Sequence, residues 1–426
     1  MSDTSRLPRF RRLLTPVALG TALLLSACGG GGSTPSTTAD PAPPPAASAP
    51  STPPAPPAAP NVAAISIRQL GSNTTTLTAN TPYVTVTVCA PDGSACQAIP
   101  DVLVDTGSAG LRLFSKAVSS ATFNALPKIA SGSGELAACA QFASGYAWGG
   151  MRQSLVRIGG MTTTAAVPIQ IMDDPTLPAA PSACTSQGGS DFASSFYGIA
   201  NGILGISNFR YDCGSACASS TFPGVYYACS STSCTPATAS TSQQGINPIA
   251  AFASDNNGSI LALPGVPLPD GAPSANGTLT FGIDTQANNT LSTAQIYPLD
   301  RQGNLKMTLN GTALSGFVDS GSNGYYLALS GVPTCSQAAG FYCPSQAFSL
   351  AASLQLADKS YGPAQTLTIG NAQAMFATQN AALPALGGTA AITGFVDLGL
   401  PFFYSRTIAT GLEGSSTSTP YGYLAY

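Results

Sequence analysis

Two segments of this chain repeat each other. Val102-Leu103-Val104-Asp105-Thr106-Gly107-Ser108-Ala109-Gly110-Leu111 and Gly316-Phe317-Val318-Asp319-Ser320-Gly321-Ser322-Asn323-Gly324-Tyr325 run in step. Each is a short apolar run, the signature of a buried strand, that delivers a carboxylate into a tight turn. The two Asp are 214 positions apart. That spacing predicts two similar lobes, each of somewhat under 200 residues, joined so that the turns face each other. The residue types have separable tasks. Gly107 and Gly321 let the backbone of one turn approach the other. The hydroxyls of Ser108 and Ser322 are placed to hydrogen-bond the outer carboxylate oxygens, and those of Thr106 and Ser320 to brace turn against turn. Asp-Thr-Gly and Asp-Ser-Gly also occur as ordinary Asx-turns between strands. Two copies with matching flanks, in a chain with only 18 acidic residues, point beyond that.

Composition narrows the chemistry. The chain has no histidine, so a Ser-His-Asp or Cys-His mechanism and any His-based metal site are excluded. A hydrolase built from it must use carboxylates, Lys, Tyr, Ser or backbone groups. No metal and no cofactor is expected. With 15 Lys+Arg against 18 Asp+Glu there is no basic field, and nucleic acid is not an expected partner. Charged residues are only 8% of the chain, while Gly (45) and Pro (35) are abundant. This suits a turn-rich, mainly β exported protein.

The N-terminus agrees with export. Arg6, Arg9, Arg11 and Arg12 precede an apolar stretch from Leu13 to Leu25, as in a signal peptide. Leu25-Ser26-Ala27-Cys28 resembles a bacterial lipobox, which implies that residues 1–28 are a signal peptide ending at an acylated Cys28. The membrane partner is then the lipid, and Gly29 after the Cys favours the outer membrane of the cell envelope. Residues 29–60 are rich in Pro, Ala, Ser and Thr and read as an extended tether. Ten cysteines remain beyond Cys28, an even number that fits disulfides in an oxidising compartment. Cys89/Cys96, Cys213/Cys217, Cys229/Cys234 and Cys335/Cys343 are close neighbours, with Cys139 and Cys184 left over. Spacing alone does not fix the connectivity.

From residue 61 the pattern is all-β. Strands are expected at Tyr83–Val88, Val102–Asp105, Ser154–Ile158, Val167–Met172, Ile260–Leu263, Thr278–Ile283, Leu305–Leu309, Gly316–Asp319 and Thr366–Ile369. Convincing amphipathic helices are few, and Asn247–Ala253 is one short candidate. Residues 210–244, poor in aliphatics and holding four Cys, read as a stapled surface loop. The lobes are placed at 61–275 and 276–426.

Asp105-Thr106-Gly107-Ser108-Ala109-Gly110-Leu111 resembles the first active-site turn of pepsin-like aspartic peptidases, and Asp319-Ser320-Gly321-Ser322 the second. Gly202-Ile203-Leu204-Gly205-Ile206 is similar to the segment that closes the first lobe in that family. Gly277 to Asp284 is similar to the stretch leading into the second lobe. Leu398-Gly399 with Phe402-Phe403-Tyr404 is similar to the last strand. The motifs occur in family order from about residue 80 to 410. The resemblance also extends to uncharacterised proteobacterial lipoproteins with this signature. It implies a two-lobed acid-protease fold, a catalytic Asp105–Asp319 pair that shares one proton, and a peptide or protein substrate. An inactive pepsin-fold protein that binds peptide or glycan is the alternative, and a structural lipoprotein a further one. A two-carboxylate glycosidase fits less well, since its carboxylates stand about 5–9.5 Å apart. Three positions depart from the pattern. Arg112 stands where the family usually has Trp. Phe142 falls at the position of the flap tyrosine, with Tyr146 and Trp148 as the other flap candidates. Asp397 is a charge in a strand that is usually apolar.

Overall fold

A computed structural model describes residues 59–426 except 71–77, 187, 292–293 and 391. Cys28, the signal peptide and the tether lie outside the described residues. The described chain is all-β with barrel-like sheets. Its strands form one 18-stranded and one 7-stranded sheet. The expected strands are present. Val167–Met172 and Leu305–Leu309 have the expected bounds, while Tyr83–Val88 extends to Pro82–Cys89 and Val102–Asp105 to Gln97–Asp105.

One arrangement occurs twice. Gly202–Ile206 lies between Gln97–Asp105, to which it is parallel, and Ala109–Phe114, to which it is antiparallel. Phe395–Leu398 lies in the same way between Thr312–Val318 (parallel) and Tyr325–Leu327 (antiparallel). In each case the strand that ends at the Asp and the strand that leaves its turn are not paired to each other. A distant strand is threaded between them, so each Asp sits where two strands part. Gly202–Ile206 is buried along its whole length, which is why it reads as a continuous apolar run, whereas Phe395–Leu398 buries every other residue; Val104, Leu204 and Leu398 are 0% exposed. Shortening such a residue to Ala costs about 2–5 kcal/mol. Val104, Leu204, Val318 and Leu398 belong to one apolar core that both sheets share.

The sheets do not divide at residue 275. Val62–Ile67 pairs with Ala275–Phe281, and Gly258–Leu263 pairs with Arg406–Gly411 near the C-terminus. The large sheet therefore joins strands from both sides of the expected boundary. Two local expectations are corrected. Pro248–Ala251 is a single 3-10 turn, capped by the Asn247 side chain on the Ile249 amide; Pro248 donates no amide bond and the run is too short to propagate an α-helix. Residues 210–244 are more than a surface loop. Tyr226–Cys229 adds to the large sheet against Gly134–Phe142, and Tyr226 and Tyr227 are each 1% exposed. Aromatic rings supply there the core that aliphatics supply elsewhere.

All ten described cysteines are paired, as Cys89–Cys96, Cys139–Cys184, Cys213–Cys217, Cys229–Cys234 and Cys335–Cys343. Four bridges are the close neighbours. The fifth closes a separation of 45 residues and ties the hairpin strand Gly134–Phe142 to the short helix Ser182–Thr185.

Candidate functional site: two facing aspartate turns

The strand ends bring Asp105 and Asp319 together. Within each turn the Asp side chain is held by its own loop. The Gly107 amide donates to Asp105 Oδ1 (2.7 Å) and Ser108 Oγ to Oδ2 (2.5 Å). The Gly321 amide donates to Asp319 Oδ1 (2.8 Å) and Ser322 Oγ to Oδ2 (3.0 Å). The turns then grip each other. The Thr106 amide donates to Ser320 Oγ (3.1 Å), and the Ser320 amide donates to Thr106 Oγ1 (2.9 Å). Thr106 Oγ1 in turn donates to Val318 O (3.2 Å), and Ser320 Oγ to Val104 O (2.7 Å). Each hydroxyl thus accepts from one backbone group and donates to another across the interface. Both braces are buried, where an unmet backbone group is costly.

The two glycines are required by the approach of the carboxyls. A Cβ on Gly107 would stand 2.7 Å from the Asp319 carboxyl carbon, and one on Gly321 2.8 Å from Asp105 Oδ1. Each carboxyl therefore lies against the glycine of the opposite turn. The Asp319 carboxyl is pushed well above the ordinary carboxylate range. Burial is the largest cause, followed by the charges of Asp105 and Asp397 and by a hydrogen bond with Asp105.

The surroundings of the turns differ. Behind the first, buried Arg112 donates from Nη1 to Ala109 O (2.9 Å) and Gly110 O (3.3 Å), and its Nη2 stands 3.5 Å from Asp212 Oδ2. The Tyr226 hydroxyl is bonded to the same carboxylate, at 2.7 and 2.8 Å from its two oxygens, and receives the Gly245 amide (2.9 Å). Burial pushes Asp212 up to about 6, against the lowering effects of Arg112 and Tyr226. Arg112 is thus engaged beneath the turn. Asp212 and Tyr226 were not singled out from the sequence; the only signal was a Tyr pair and an Asp among the cysteines.

The three flap candidates separate. Gly134–Phe142 and Gly145–Ile158 form a hairpin in which Phe142 pairs with Gly145 at the tip. Trp148 is buried against Tyr227 (5.4 Å between centroids) and donates its indole N–H to Pro178 O (3.0 Å). Tyr146 bonds Asp191, its phenol raised by burial and then by that carboxylate. Phe142 stacks on Phe192 (4.9 Å), with the Arg112 guanidinium 5.7 Å from its ring. Phe142 is therefore the candidate that the fold connects to the first Asp turn. Gln141 donates to Cys184 O (2.8 Å), which ties the hairpin near its tip beside the Cys139–Cys184 bridge.

Among the described residues no group of three or more Cys, Asp or Glu gathers as metal ligands would. A recess of about 430 Å³ lined by Ser115, Lys116, Phe123 and Asp173 takes no lining from the dyad. No curated protein matches the chain. The model of a family described as a protein of unknown function, DUF3443, matches residues 57–426, and the chain belongs to that family.

Proposed function

We propose that this is a pepsin-like, two-lobed aspartic endopeptidase that hydrolyses peptide bonds with the Asp105–Asp319 pair. The observation that carries the reading is the reciprocal Thr106–Ser320 brace, which holds two carboxyls against opposite turns; two carboxyls so close share one proton. Ionised Asp105 takes a proton from water as its oxygen bonds to the carbonyl carbon. Asp319 gives its proton to the carbonyl oxygen, so the π pair is neutralised as it arrives. When the C–N bond breaks, the amine takes the proton held by Asp105, and one hydroxyl of the tetrahedral carbon returns its proton to Asp319 as the carboxyl C=O re-forms, so the pair is restored. Ser108 and Ser322 hold the outer oxygens and so fix the direction of both carboxyls.

Purified protein incubated with unfolded casein between about pH 3 and 7, with and without pepstatin, tests this. Cleavage is expected, blocked by pepstatin and lost in Asp105→Asn and in Asp319→Asn, by at least ~10³-fold each, since the two act as one unit. Cleavage that survives both substitutions places the chemistry elsewhere. One observation favours a second reading, a binding protein for peptide or glycan: the hairpin offers a phenyl ring, Phe142, at its tip, and the adjacent phenol, Tyr146, is engaged by Asp191. Binding without cleavage at any pH selects it.

The same reading places the protein on the cell envelope, anchored through Cys28 and expected in the outer membrane. It is supported by the lipobox-like segment and by the five disulfides, which suit an oxidising compartment. Cys28→Ala is expected to release the protein from the membrane fraction; unchanged fractionation and processing sink the anchor.

A further inference from the structure

Asp397 lies in the threaded strand Phe395–Leu398, opposite Phe317 on one side and Tyr326 on the other. Cross-strand neighbours project to one face of a sheet. Asp319 follows Phe317 by two residues and returns to that face, and its amide donates to the carbonyl of Leu398, next to Asp397 (3.1 Å). The corresponding place in the first arrangement belongs to Ile203, between Leu103 and Arg112. An apolar residue beside a cation there is replaced here by a carboxylate beside a phenol. We infer that Asp397 is a third carboxylate of the site, a positioning residue whose charge keeps the shared proton on Asp319 and extends the working range of the pair toward neutral pH.

The titratable groups that face Asp397 are Asp319, from the end of Thr312–Val318, and Tyr326, from Tyr325–Leu327; Asp105 neighbours Asp319 in turn. The next residue, Tyr325, turns the other way, toward Arg406. The charge of Asp397 acts on both Asp319 and Tyr326, raising each. A pair holding one proton carries one negative charge; a pair holding none carries two. A neighbouring carboxylate disfavours the second state more, so the last proton leaves at higher pH. The acid needed to protonate the carbonyl oxygen then persists further from the acid range.

The inference rests on the peptidase reading for its rate readout only. In Asp397→Asn the falling limb of the pH–rate profile on casein is expected about one pH unit lower, so that the rate on that limb drops about tenfold at fixed pH. Asp397→Glu is expected to restore the limb, which a packing role alone would not require. An unmoved limb in a folded, active Asp397→Asn protein overturns the inference. Infrared titration of the protonated carboxyl in protein labelled at aspartate supplies a second readout, with Asp319→Asn identifying the band. The band is expected to vanish at lower pH in Asp397→Asn than in the wild type. If the wild type cleaves nothing, the peptidase reading fails by itself, and a band lost at the same pH in both proteins overturns the role of Asp397.

Discussion

The two aspartate turns share a backbone and differ in charge. Each has an Asp held by the Gly amide two residues on and the Ser hydroxyl three residues on, and each has a strand threaded between its arms. The first turn rests on a cation, Arg112, tied to Asp212 and Tyr226. The second is flanked by an anion, Asp397. A pair related by near-symmetry has no inherent reason to place its proton on one member. The flanking charges supply one, since an anion at the second turn stabilises the protonated form of Asp319. The backbone therefore fixes how close the carboxyls come, and on the proposed reading the unlike surroundings assign their roles.

The largest effect on this comparison is expected from removing the cation. Arg112→Met leaves Asp212 buried without its partner and frees the carbonyls of Ala109 and Gly110. Removal of one member of a buried pair costs about 3–5 kcal/mol. Asp212 evades part of the penalty by taking up a proton, so the loss is expected to be larger at pH 8 than at pH 5 in urea unfolding. A loss that is the same at both pH values means that Arg112 acts through packing alone.

Asp212 itself gives the next effect. Its ordinary value is 3.8 and its folded value about 6, so the folded state holds its proton more tightly than the unfolded chain. The stabilisation from this group is complete below the lower value and is lost as pH rises through the upper one. Wild type is expected to lose ~2–3 kcal/mol relative to Asp212→Asn across that window. The difference between the two unfolding curves isolates Asp212 from other carboxyls. A difference that does not change with pH removes the electrostatic account of the first turn's support.

The turns were legible in sequence because everything that defines them is local: an apolar run, a carboxylate, a hydroxyl, a glycine, a serine. The same holds for Val167–Met172, whose six residues are all buried and apolar apart from Gln170. What was not legible depends on partners distant in the chain. Tyr226–Cys229 is a strand because it pairs with Leu136 and Ala138, some 90 residues earlier, and no local periodicity reports that. Arg112 stood out as a departure, but its acceptor Asp212 lies 100 residues away. The same holds for the large sheet, which joins strands from distant parts of the chain, Val62–Ile67 with Ala275–Phe281 and Gly258–Leu263 with Arg406–Gly411. Tyr146 and Trp148 stand as flap alternatives to Phe142 in the sequence, because Asp191 and Pro178, which engage them, are distant in the chain.

The smallest effect, and the sharpest test of how far the symmetry goes, concerns the brace. Thr106 and Ser320 make equivalent bonds, yet one carries a methyl and the other does not. Thr106→Val keeps the shape of the side chain but removes its hydroxyl. The Ser320 amide then has no acceptor and Val318 O loses a donor, both in a buried setting. The expected cost is about 1.5 kcal/mol. Thr106→Ser keeps both bonds and deletes a methyl, for about 1 kcal/mol or less. Ser320→Thr adds a methyl at a position with 0% exposure, where overpacking costs about 1–3 kcal/mol. If the brace is a pair of coupled bonds, Thr106→Val and Ser320→Ala together destabilise by less than their sum, because either substitution already breaks part of the shared network. Strict additivity in a double-mutant cycle means that the hydroxyls act independently and that the approach of the two aspartates is held by the surrounding strands instead.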